Sequence, residues 1–383
     1  MEKRKLKNGE LSLLGFGLMR LPRTEASQEI DAKTAGEMVD YAIAQGVTYF
    51  DTAYMYHDGK SESFAGAALS RHERTSYKLA TKMPLAVLKT RADVERIFNE
   101  QLEKCKTEYF DFYLLHNINE DYLRIAESCE VYEQLKKKQE QGLIGHLGFS
   151  FHDRPELLKK VVEQYEWEFA QIQLNYLDWE LQNAKEQYEI LTGRGIPVNV
   201  MEPVRGGTLA KLCDASIRIF HEADPKASAA SWALRYAASL PGVQVVLSGM
   251  SSMDQVRDNV RTMSPLKPLT GAEYEVIEKA LAAYRSAASV PCTSCRYCMD
   301  CPSGVEIPKN IAVYNNYQIA LANKHPMANF IFEMEYRILG EGQHASSCVS
   351  CEQCKSRCPQ HIDIPRWMDE ISKLHENLRS ARR

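Results

Sequence analysis

The stretch TAGEMVDYAIAQGVTYFDTA, residues 34–53, contains one complete unit of the pattern that decides the fold. Its first part has apolar residues at spacings of three and four, which is typical of an amphipathic helix. Gly46 follows where a helix C-cap is expected, and the apolar run VTYFDTA then indicates a strand. Helices that alternate with strands in this way favour a parallel sheet.

Eight apolar runs of this kind occur between residues 13 and 249, separated by stretches with helical spacing. They are LLGFG (13–17), VTYFDTA (47–53), YKLATK (77–82), FDFYLLH (110–116), IGHLGFS (144–150), FAQIQLN (169–175), IPVNVME (196–202) and VQVVLSG (243–249). Eight such units fit a (β/α)8 TIM barrel, whose usual size is ~250 residues. The alternative is a doubly wound open sheet, but no G-x-G-x-x-G fingerprint follows the first strands. We therefore predict an α/β fold in which residues 1–286 form a (β/α)8 barrel.

The bulk composition is that of a soluble globular protein, with 44% hydrophobic and 26% charged residues. The net charge of −4 gives no reason to expect nucleic acid or an anionic membrane as a partner. The N-terminus lacks the apolar run of a signal peptide, and no apolar stretch reaches the ~18 residues of a membrane span. We expect a cytoplasmic protein whose thiols are free or bound to metal.

Eight of the eleven cysteines lie in two C-terminal arms, VPCTSCRYCMDCPSGVEIP (290–308) and CVSCEQCKSRCPQHIDIP (348–365). The first arm contains Cys292, Cys295, Cys298 and Cys301, and the second contains Cys348, Cys351, Cys354 and Cys358. The second arm matches the bacterial ferredoxin pattern C-x2-C-x2-C-x3-C-P in full. The first arm has one residue fewer before its last cysteine.

This pattern predicts two [4Fe–4S] clusters in a small, mainly helical ferredoxin-like domain over residues 287–383. Because the fourth cysteine of each arm ligates the other cluster in such proteins, the expected ligand sets are Cys292, Cys295, Cys298 with Cys358, and Cys348, Cys351, Cys354 with Cys301. Disulfides are one alternative, which the expected reducing compartment argues against. Structural zinc is a second alternative. Zinc sites often use two C-x-x-C pairs separated by a long spacer, whereas each arm here holds four cysteines close together.

Polar residues stand at or just after the ends of three consecutive predicted strands: Asp51 with Tyr56, then Lys82, then His116. Barrel active sites lie at the C-terminal ends of the strands. Each residue alone has an ordinary structural explanation, such as helix capping for Asp51, but together they indicate a site. The Lys82 ammonium, held by Asp51, would lower the pKa of the Tyr56 hydroxyl, which is ~10 in isolation. His116 would orient a carbonyl oxygen or relay its proton, so the set fits carbonyl reduction.

The motifs YFDTAYMY (49–56), LATK (79–82) and FYLLH (112–116), in this order, resemble those of the aldo-keto reductase family. The opening LKNGELSLLGFGLMRLP (6–22) is similar too, and the resemblance covers roughly residues 5–285. It implies a (β/α)8 barrel that reduces aldehydes and ketones with a nicotinamide dinucleotide, and a catalytic tetrad of Asp51, Tyr56, Lys82 and His116. With its cysteine arms, the chain also resembles a bacterial and archaeal group of such reductases with an appended ferredoxin domain.

The resemblance also implies positions for the cofactor. The carboxamide contacts map onto Ser150 and Gln171, and the adenosine-phosphate loop maps onto SGMSSMDQVRDNV (248–260), which includes Asn259. The segment after the seventh predicted strand, where barrels commonly bind the phosphate of a dinucleotide or of a flavin such as FMN, contains Arg205, Gly206 and Gly207. The basic residues that read the 2′-phosphate of NADPH are replaced by Gly249 and Gln255. The choice among NADH, NADPH and a flavin therefore stays open.

Nicotinamide transfers two electrons together, whereas iron–sulfur clusters carry them singly, and a flavin is the usual group that splits the pair. Three arrangements follow: an NAD(P)H reductase with structural or oxygen-sensing clusters, a flavin-containing barrel joined to the clusters, or clusters that serve an electron-transfer protein partner. A redox carrier or sensor without carbonyl reductase activity is the non-enzymatic alternative. We expect an oxidoreductase that acts on a small carbonyl or alcohol substrate.

Overall fold

The computed structural model describes residues 1–6, 9–24, 29–181, 183–285, 290–322, 327–337 and 339–380. The chain forms two compact units, and the first consists of Met1–Pro203 and Ser231–Leu269. It opens with an antiparallel pair of strands, β1 (Lys3–Leu6) and β2 (Gly9–Ser12). A closed barrel of eight parallel strands follows, made of β3 (Leu14–Gly17), β4 (Tyr49–Asp51), β5 (Lys78–Met83), β6 (Phe110–Ile118), β7 (Ile144–Phe151), β8 (Phe169–Gln173), β9 (Val198–Met201) and β10 (Val243–Gly249). The predicted barrel is confirmed, and its strands overlap all eight predicted runs.

The α-helices of both units are, in chain order, α1 (Ala32–Ala44), α2 (Ser61–Leu69), α3 (Arg91–Cys105), α4 (Glu120–Ser128), α5 (Val131–Glu140), α6 (Pro155–Gln164), α7 (Asp178–Leu181), α8 (Ala184–Gly193), α9 (Asp214–Ala223), α10 (Ala229–Ala238), α11 (Met253–Thr262), α12 (Gly271–Arg285), α13 (Ile307–Ala322), α14 (Ala328–Arg337), α15 (Gln353–Arg357) and α16 (Ile364–Ser380). Short 3₁₀ helices cover Leu18–Arg20, Arg74–Ser76, Leu85–Val87, Arg205–Ala210 and Ala345–Ser347. Each described helix is too short or too polar to cross a membrane.

The unit around residues 34–53 shows why this pattern folds as it does. The Asp31 side chain caps α1 by accepting a hydrogen bond from the Thr34 N–H at 3.1 Å. The helix ends at Ala44, and Gly46 then takes a φ of +85°, a left-handed conformation that suits glycine. The chain turns directly into β4, whose residues are all buried.

The parallel register places the polar strand ends at one edge of the barrel. Asp51 pairs with Ala80, two residues before Lys82. Lys82 in turn pairs with Leu114, two residues before His116. Below this edge the barrel interior is filled by Leu11, Tyr49, Ala80, Phe112, Leu114, Phe169, Val245 and Leu247. The interior is a packed core, so a ligand can approach only at the ends of the strands.

The second unit consists of Val204–Ala230 and Thr270–Arg383. In it α9 packs against α12, where the Ser216 hydroxyl donates to the Ala280 carbonyl at 2.7 Å. The cysteine arms lie among α13 to α16, so the predicted helical character of the C-terminal domain is confirmed. The predicted boundary at residues 286 and 287 falls outside the described residues and stays a prediction.

Helices α2 and α3 approach each other at Gly66, where a Cβ atom would lie 2.3 Å from the Lys104 carbonyl oxygen. We expect Gly66→Ala to lower the free energy of unfolding by about 1–3 kcal/mol, because the helices would have to separate. Gly193→Ala is the control, since a Cβ there meets nothing within 4 Å. Denaturant unfolding of the barrel checks this, and an unchanged midpoint for Gly66→Ala would contradict the close approach.

Candidate active site

A buried ion pair lies at the edge where the polar strand ends meet. Lys82 Nζ donates to Asp51 Oδ1 at 2.6 Å and to the Thr52 carbonyl at 2.7 Å. Burial raises the pKa of Asp51 and lowers the pKa of Lys82, and the attraction between the two charges opposes both shifts. These two contacts hold the lysine in a single orientation.

Tyr56 and His116 complete the group. Lys82 Nζ lies 5.0 Å from the centroid of the Tyr56 ring, and the Tyr56 and His116 ring centroids are 6.0 Å apart, edge to face. Burial lowers the pKa of His116 well below its ordinary value, and Lys82 and His152 act in the same direction. His116 is therefore a neutral imidazole near pH 7. The structure brings all four predicted residues together.

A buried polar network behind Lys82 was not predicted from the sequence. Glu62 Oε1 accepts hydrogen bonds from Thr81 Oγ1 and from Gln101 Nε2, both at 2.6 Å. Gln101 also donates to the Lys82 carbonyl at 2.9 Å, and burial raises the pKa of Glu62. The network fixes the backbone of β5 where Lys82 is attached. The sequence does contain a sign of this network. Gln101 lies on the same buried face of α3 as Val94, Ile97 and Phe98, and a polar residue on an apolar helix face needs a buried partner.

The two predicted carboxamide contacts lie at the ends of β7 and β8. The Ser150 hydroxyl is buried and accepts the Asn117 N–H at 2.7 Å. Gln171 Nε2 lies 3.7 Å from Met201 Sδ, and Gln171 Oε1 is buried with no hydrogen-bond partner among the described residues. A buried acceptor of this kind needs a donor, and the carboxamide N–H of a nicotinamide is one that fits.

The remaining predicted cofactor contacts have other partners in the structure. Asn259 on α11 is buried, and its Nδ2 donates to Ser248 Oγ at 2.8 Å. Arg205 is buried within the second unit and donates to the Pro291 carbonyl at 3.1 Å. Gly206 and Gly207 take φ values of 62° and 94°, which favour glycine. A phosphate role for these four residues stays a prediction.

The eight clustered cysteines line two cavities in the second unit. One, the Cys351 cavity, is lined by Cys301, Cys348, Cys351 and Cys354, and the other, the Cys358 cavity, is lined by Cys292, Cys295, Cys298 and Cys358; Cys298 lies in the wall between them and lines both. The pKa of Cys354 is raised to about 11, chiefly by burial and in smaller part by the nearby Cys348, Cys351 and Cys301 thiols. Burial raises the pKa of Cys298 too, with Cys295, Cys292 and Cys358 as the neighbouring thiols. Each cavity thus holds the four cysteines that the crossed pattern assigns to one cluster.

The backbone of both arms turns in the same unusual way around the second cysteine. Ser294 and Arg296, on either side of Cys295, have φ values of 55° and 68°. The equivalent residues of the second arm, Ser350 and Glu352, have φ values of 52° and 61°. Turns with left-handed residues form the backbone N–H concavities that bind phosphates and iron–sulfur groups. In the first arm the Ser294 N–H donates to Cys292 Sγ at 3.4 Å, so the donor set fits a negatively charged cluster.

Known proteins share both parts of this chain. Residues 13–282 match the aldo/keto reductase family, and residues 291–362 match the 4Fe-4S dicluster domain. The chain belongs to the aldo/keto reductase family. It is an oxidoreductase of that family with a 4Fe-4S dicluster domain at its C-terminal end.

Three relatives of this aldo/keto reductase illustrate the match. The uncharacterized oxidoreductase YqkF of Bacillus subtilis is 27% identical in an alignment of 316 positions that covers 73% of this chain and 96% of that protein. The aldo-keto reductase AKR11C1 from Bacillus halodurans, in its holo form, superposes with a TM-score of 0.60 at 28% identity, over 73% of this chain and 96% of that one. An aldo-keto reductase from Klebsiella pneumoniae in complex with NADPH has a TM-score of 0.60 at 21% identity, over 74% and 96% of the two chains, which shows the shared fold.

The neutral state of His116 makes the stability of this aldo/keto reductase depend on pH. The unfolded chain binds a proton at this histidine near pH 6.5 and the folded chain only at much lower pH, so folding loses stability as the pH falls below about 6.5. When the pH is lowered from 7.5 to 5.5, we expect the free energy of unfolding of the parent protein to fall by about 1 kcal/mol more than that of His116→Gln. Denaturant unfolding at both pH values measures the difference.

The matched control for that experiment is His221→Gln, on the exposed surface of α9. It should show the same pH dependence as the parent. If His116→Gln and the parent lose equal stability on acidification, the histidine is not held neutral by its surroundings.

Proposed function

We propose that this enzyme reduces the carbonyl group of a small aldehyde or ketone, or oxidises the corresponding alcohol, with Tyr56 as the proton donor. The observation that carries the proposal is the buried ion pair of Lys82 and Asp51 beside the Tyr56 ring. A buried charge pair is costly to maintain and contributes little net stability. Its position next to a tyrosine and a neutral histidine is explained by chemistry at that tyrosine.

The roles of the four residues follow from their contacts. A nicotinamide dinucleotide, when bound, supplies the hydride. Tyr56 gives its hydroxyl proton to the carbonyl oxygen, and the adjacent Lys82 ammonium favours the phenolate that remains. Asp51 holds that ammonium in place through the 2.6 Å contact. His116, being neutral, donates an N–H to the carbonyl oxygen and orients it.

The residues of the barrel unit proposed to hold the dinucleotide are Ser150 and Gln171 for the carboxamide and Asn259 for the adenosine phosphate, while a phosphate role for Arg205, Gly206 and Gly207 stays a prediction from the sequence. The unpartnered Gln171 Oε1 supports a nicotinamide. The Klebsiella pneumoniae reductase is described in complex with NADPH, so NADPH is the first cofactor to test here and NADH the second. A flavin and a cytoplasmic location remain predictions from the sequence.

We further propose that the two cysteine cavities hold one [4Fe–4S] cluster each. Four thiolates around a single zinc ion would each lie ~2.3 Å from it and close the space between them. The ferredoxin pattern of the second arm and the match of residues 291–362 to the 4Fe-4S dicluster domain support a cluster rather than a single ion in each cavity.

Removing the proton of Tyr56 tests the catalytic role. We expect Tyr56→Phe to lower turnover ~10²–10⁴-fold, which is the usual contribution of general acid catalysis, with dinucleotide affinity little changed. Oxidation of NADPH or NADH, followed by absorbance over a panel of aldehydes and ketones, measures turnover, and fluorescence titration measures affinity.

Tyr54→Phe is the matched control, since the Tyr54 hydroxyl bonds to Glu100 at 3.1 Å. It should retain the turnover of the parent. Equal turnover of Tyr56→Phe and Tyr54→Phe on the best substrate would remove Tyr56 from the mechanism.

Iron analysis of anaerobically purified protein tests the crossed ligand sets. We expect about eight irons per chain in the parent, four for each cluster. Cys301→Ala should lose the cluster of the Cys351 cavity, and Cys358→Ala should lose that of the Cys358 cavity. Each substitution removes the one ligand that its cluster takes from the other arm. Low-temperature electron paramagnetic resonance of the reduced samples distinguishes the two signals.

Two results would contradict this assignment. If Cys301→Ala loses the signal that Cys295→Ala loses, and Cys358→Ala loses the signal that Cys351→Ala loses, the arms do not cross. Stoichiometric zinc without iron in the parent would replace the clusters with a structural metal.

A further inference from the structure

The two cysteine cavities are built from a repeated sequence. After each Cys-Pro step the chain reads VEIPK (305–309) in the first arm and IDIPR (362–366) in the second. Ile307 and Ile364 occupy the same place in this repeat, begin α13 and α16, and are buried. Both line both cavities, as does Cys298. The cavities are therefore neighbours that share a wall of one thiol and two apolar side chains.

The cavities differ sharply at their rims despite this repeat. Thr293 follows the first cysteine of one arm and Val349 follows the first cysteine of the other. Thr293 is 1% exposed and Val349 is 69% exposed. The polar residue of the pair is thus buried, and the apolar one faces solvent. Hydrophobicity alone would give the opposite arrangement.

The thiols show the same difference. In the Cys358 cavity, Cys298 and Cys358 are buried, and Gln360 and Ile362 of its lining are buried as well. In the Cys351 cavity, Cys351 is exposed beside Val349 and none of the four cysteines that belong to it is fully buried. A single exposed apolar residue is ordinary, but this one stands between two cysteines at the open side of a cluster site.

Charges around the Cys351 cavity largely compensate one another. Lys355 lies 3.5 Å from Glu352 and 3.7 Å from Asp363. Glu352 lines the cavity together with Asp300 and Arg357, whereas Lys355 and Asp363 do not line it. These five residues carry three negative and two positive charges, a net charge of −1. The rim thus has an apolar centre and a low net charge, so it suits a carrier that presents an apolar edge of its redox group.

We propose that the Cys351 cavity, with Val349 at its rim, is the main site where an external one-electron carrier contacts this protein, because the Cys358 cavity keeps Cys298 and Cys358 buried. The proposal rests on the proposed two-cluster assignment. At this site the carrier gives up one electron and the group held by Cys301, Cys348, Cys351 and Cys354 gains it. No proton and no covalent bond is transferred.

A charge placed at the rim tests the contact with probes of known charge. The probes are the methyl viologen radical cation as reductant and ferricyanide as oxidant, mixed with the anaerobic full-length protein by stopped flow. We expect Val349→Arg to slow reduction by the cation about threefold, the effect of one unit charge at ~6 Å in water, and to speed oxidation by ferricyanide. Val349→Glu should do the reverse, and 1 M salt should remove both effects.

Met334→Arg and Met334→Glu are the matched controls, because Met334 is 51% exposed on α14 and lines neither cavity. They should leave both rates within about 1.5-fold of the parent, since the new charge does not lie on the lining of either cavity and is screened by salt. If the charge at position 334 acts as strongly as the charge at position 349, the contact is not at the Cys351 cavity.

The cysteine variants locate the reacting group. In Cys358→Ala the effect of Val349→Arg should persist, and in Cys301→Ala it should vanish. The reverse result overturns the proposal and assigns the contact to the Cys358 cavity. Eight irons in the parent with no effect at position 349 overturns this proposal alone, whereas iron-free parent protein overturns the two-cluster assignment beneath it.

Discussion

The ion pair of Lys82 and Asp51 is the interaction on which the barrel site depends. Both groups are buried, and removing one partner of such a pair leaves an uncompensated charge at a cost of ~3–5 kcal/mol. The pair forms only if β4 and β5 run in parallel with Asp51 opposite Ala80, so that the two strands end at the same edge. The strand register that closes this part of the sheet is therefore the same register that the ion pair of the site requires.

A second layer of buried polar groups supports this pair from the side of the helices. Gln101 on α3 joins the Lys82 carbonyl to Glu62 on α2. That reach requires the two helices to lie close together, and the absence of a side chain at Gly66 permits it. The position of the lysine is thus set by four elements, of which only two are strands. Buried polar networks fix one arrangement because each unmade hydrogen bond is expensive.

The parts that could be predicted from the sequence have local causes. The strands follow from short apolar runs, and Asp51, Lys82 and His116 follow from the rule that barrel sites lie at strand ends. Gln101 and Glu62 could not be assigned, because their partners are 19 to 39 residues away along the chain. The packing of α9 on α12 within the second unit could not be predicted either, because its contacting residues Ser216 and Ala280 are 64 positions apart along the chain. Thr293 and Val349 show a further limit, since equivalent places in a repeat have opposite burial.

The two kinds of chemistry proposed for this chain place opposite demands on their surroundings. Carbonyl reduction moves a hydride and a proton, so its electrons travel as a pair and the tetrad needs no one-electron partner. It needs instead a buried site, where the Lys82 charge acts strongly on Tyr56. An iron–sulfur group exchanges single electrons and needs a surface that another molecule can touch. In the proposed assignment, the exposed Cys351 and Val349 provide such a surface, and electrons can reach the clusters there without the splitting of a hydride. The proposal thus favours one of the three arrangements derived from the sequence, in which the clusters serve a separate carrier.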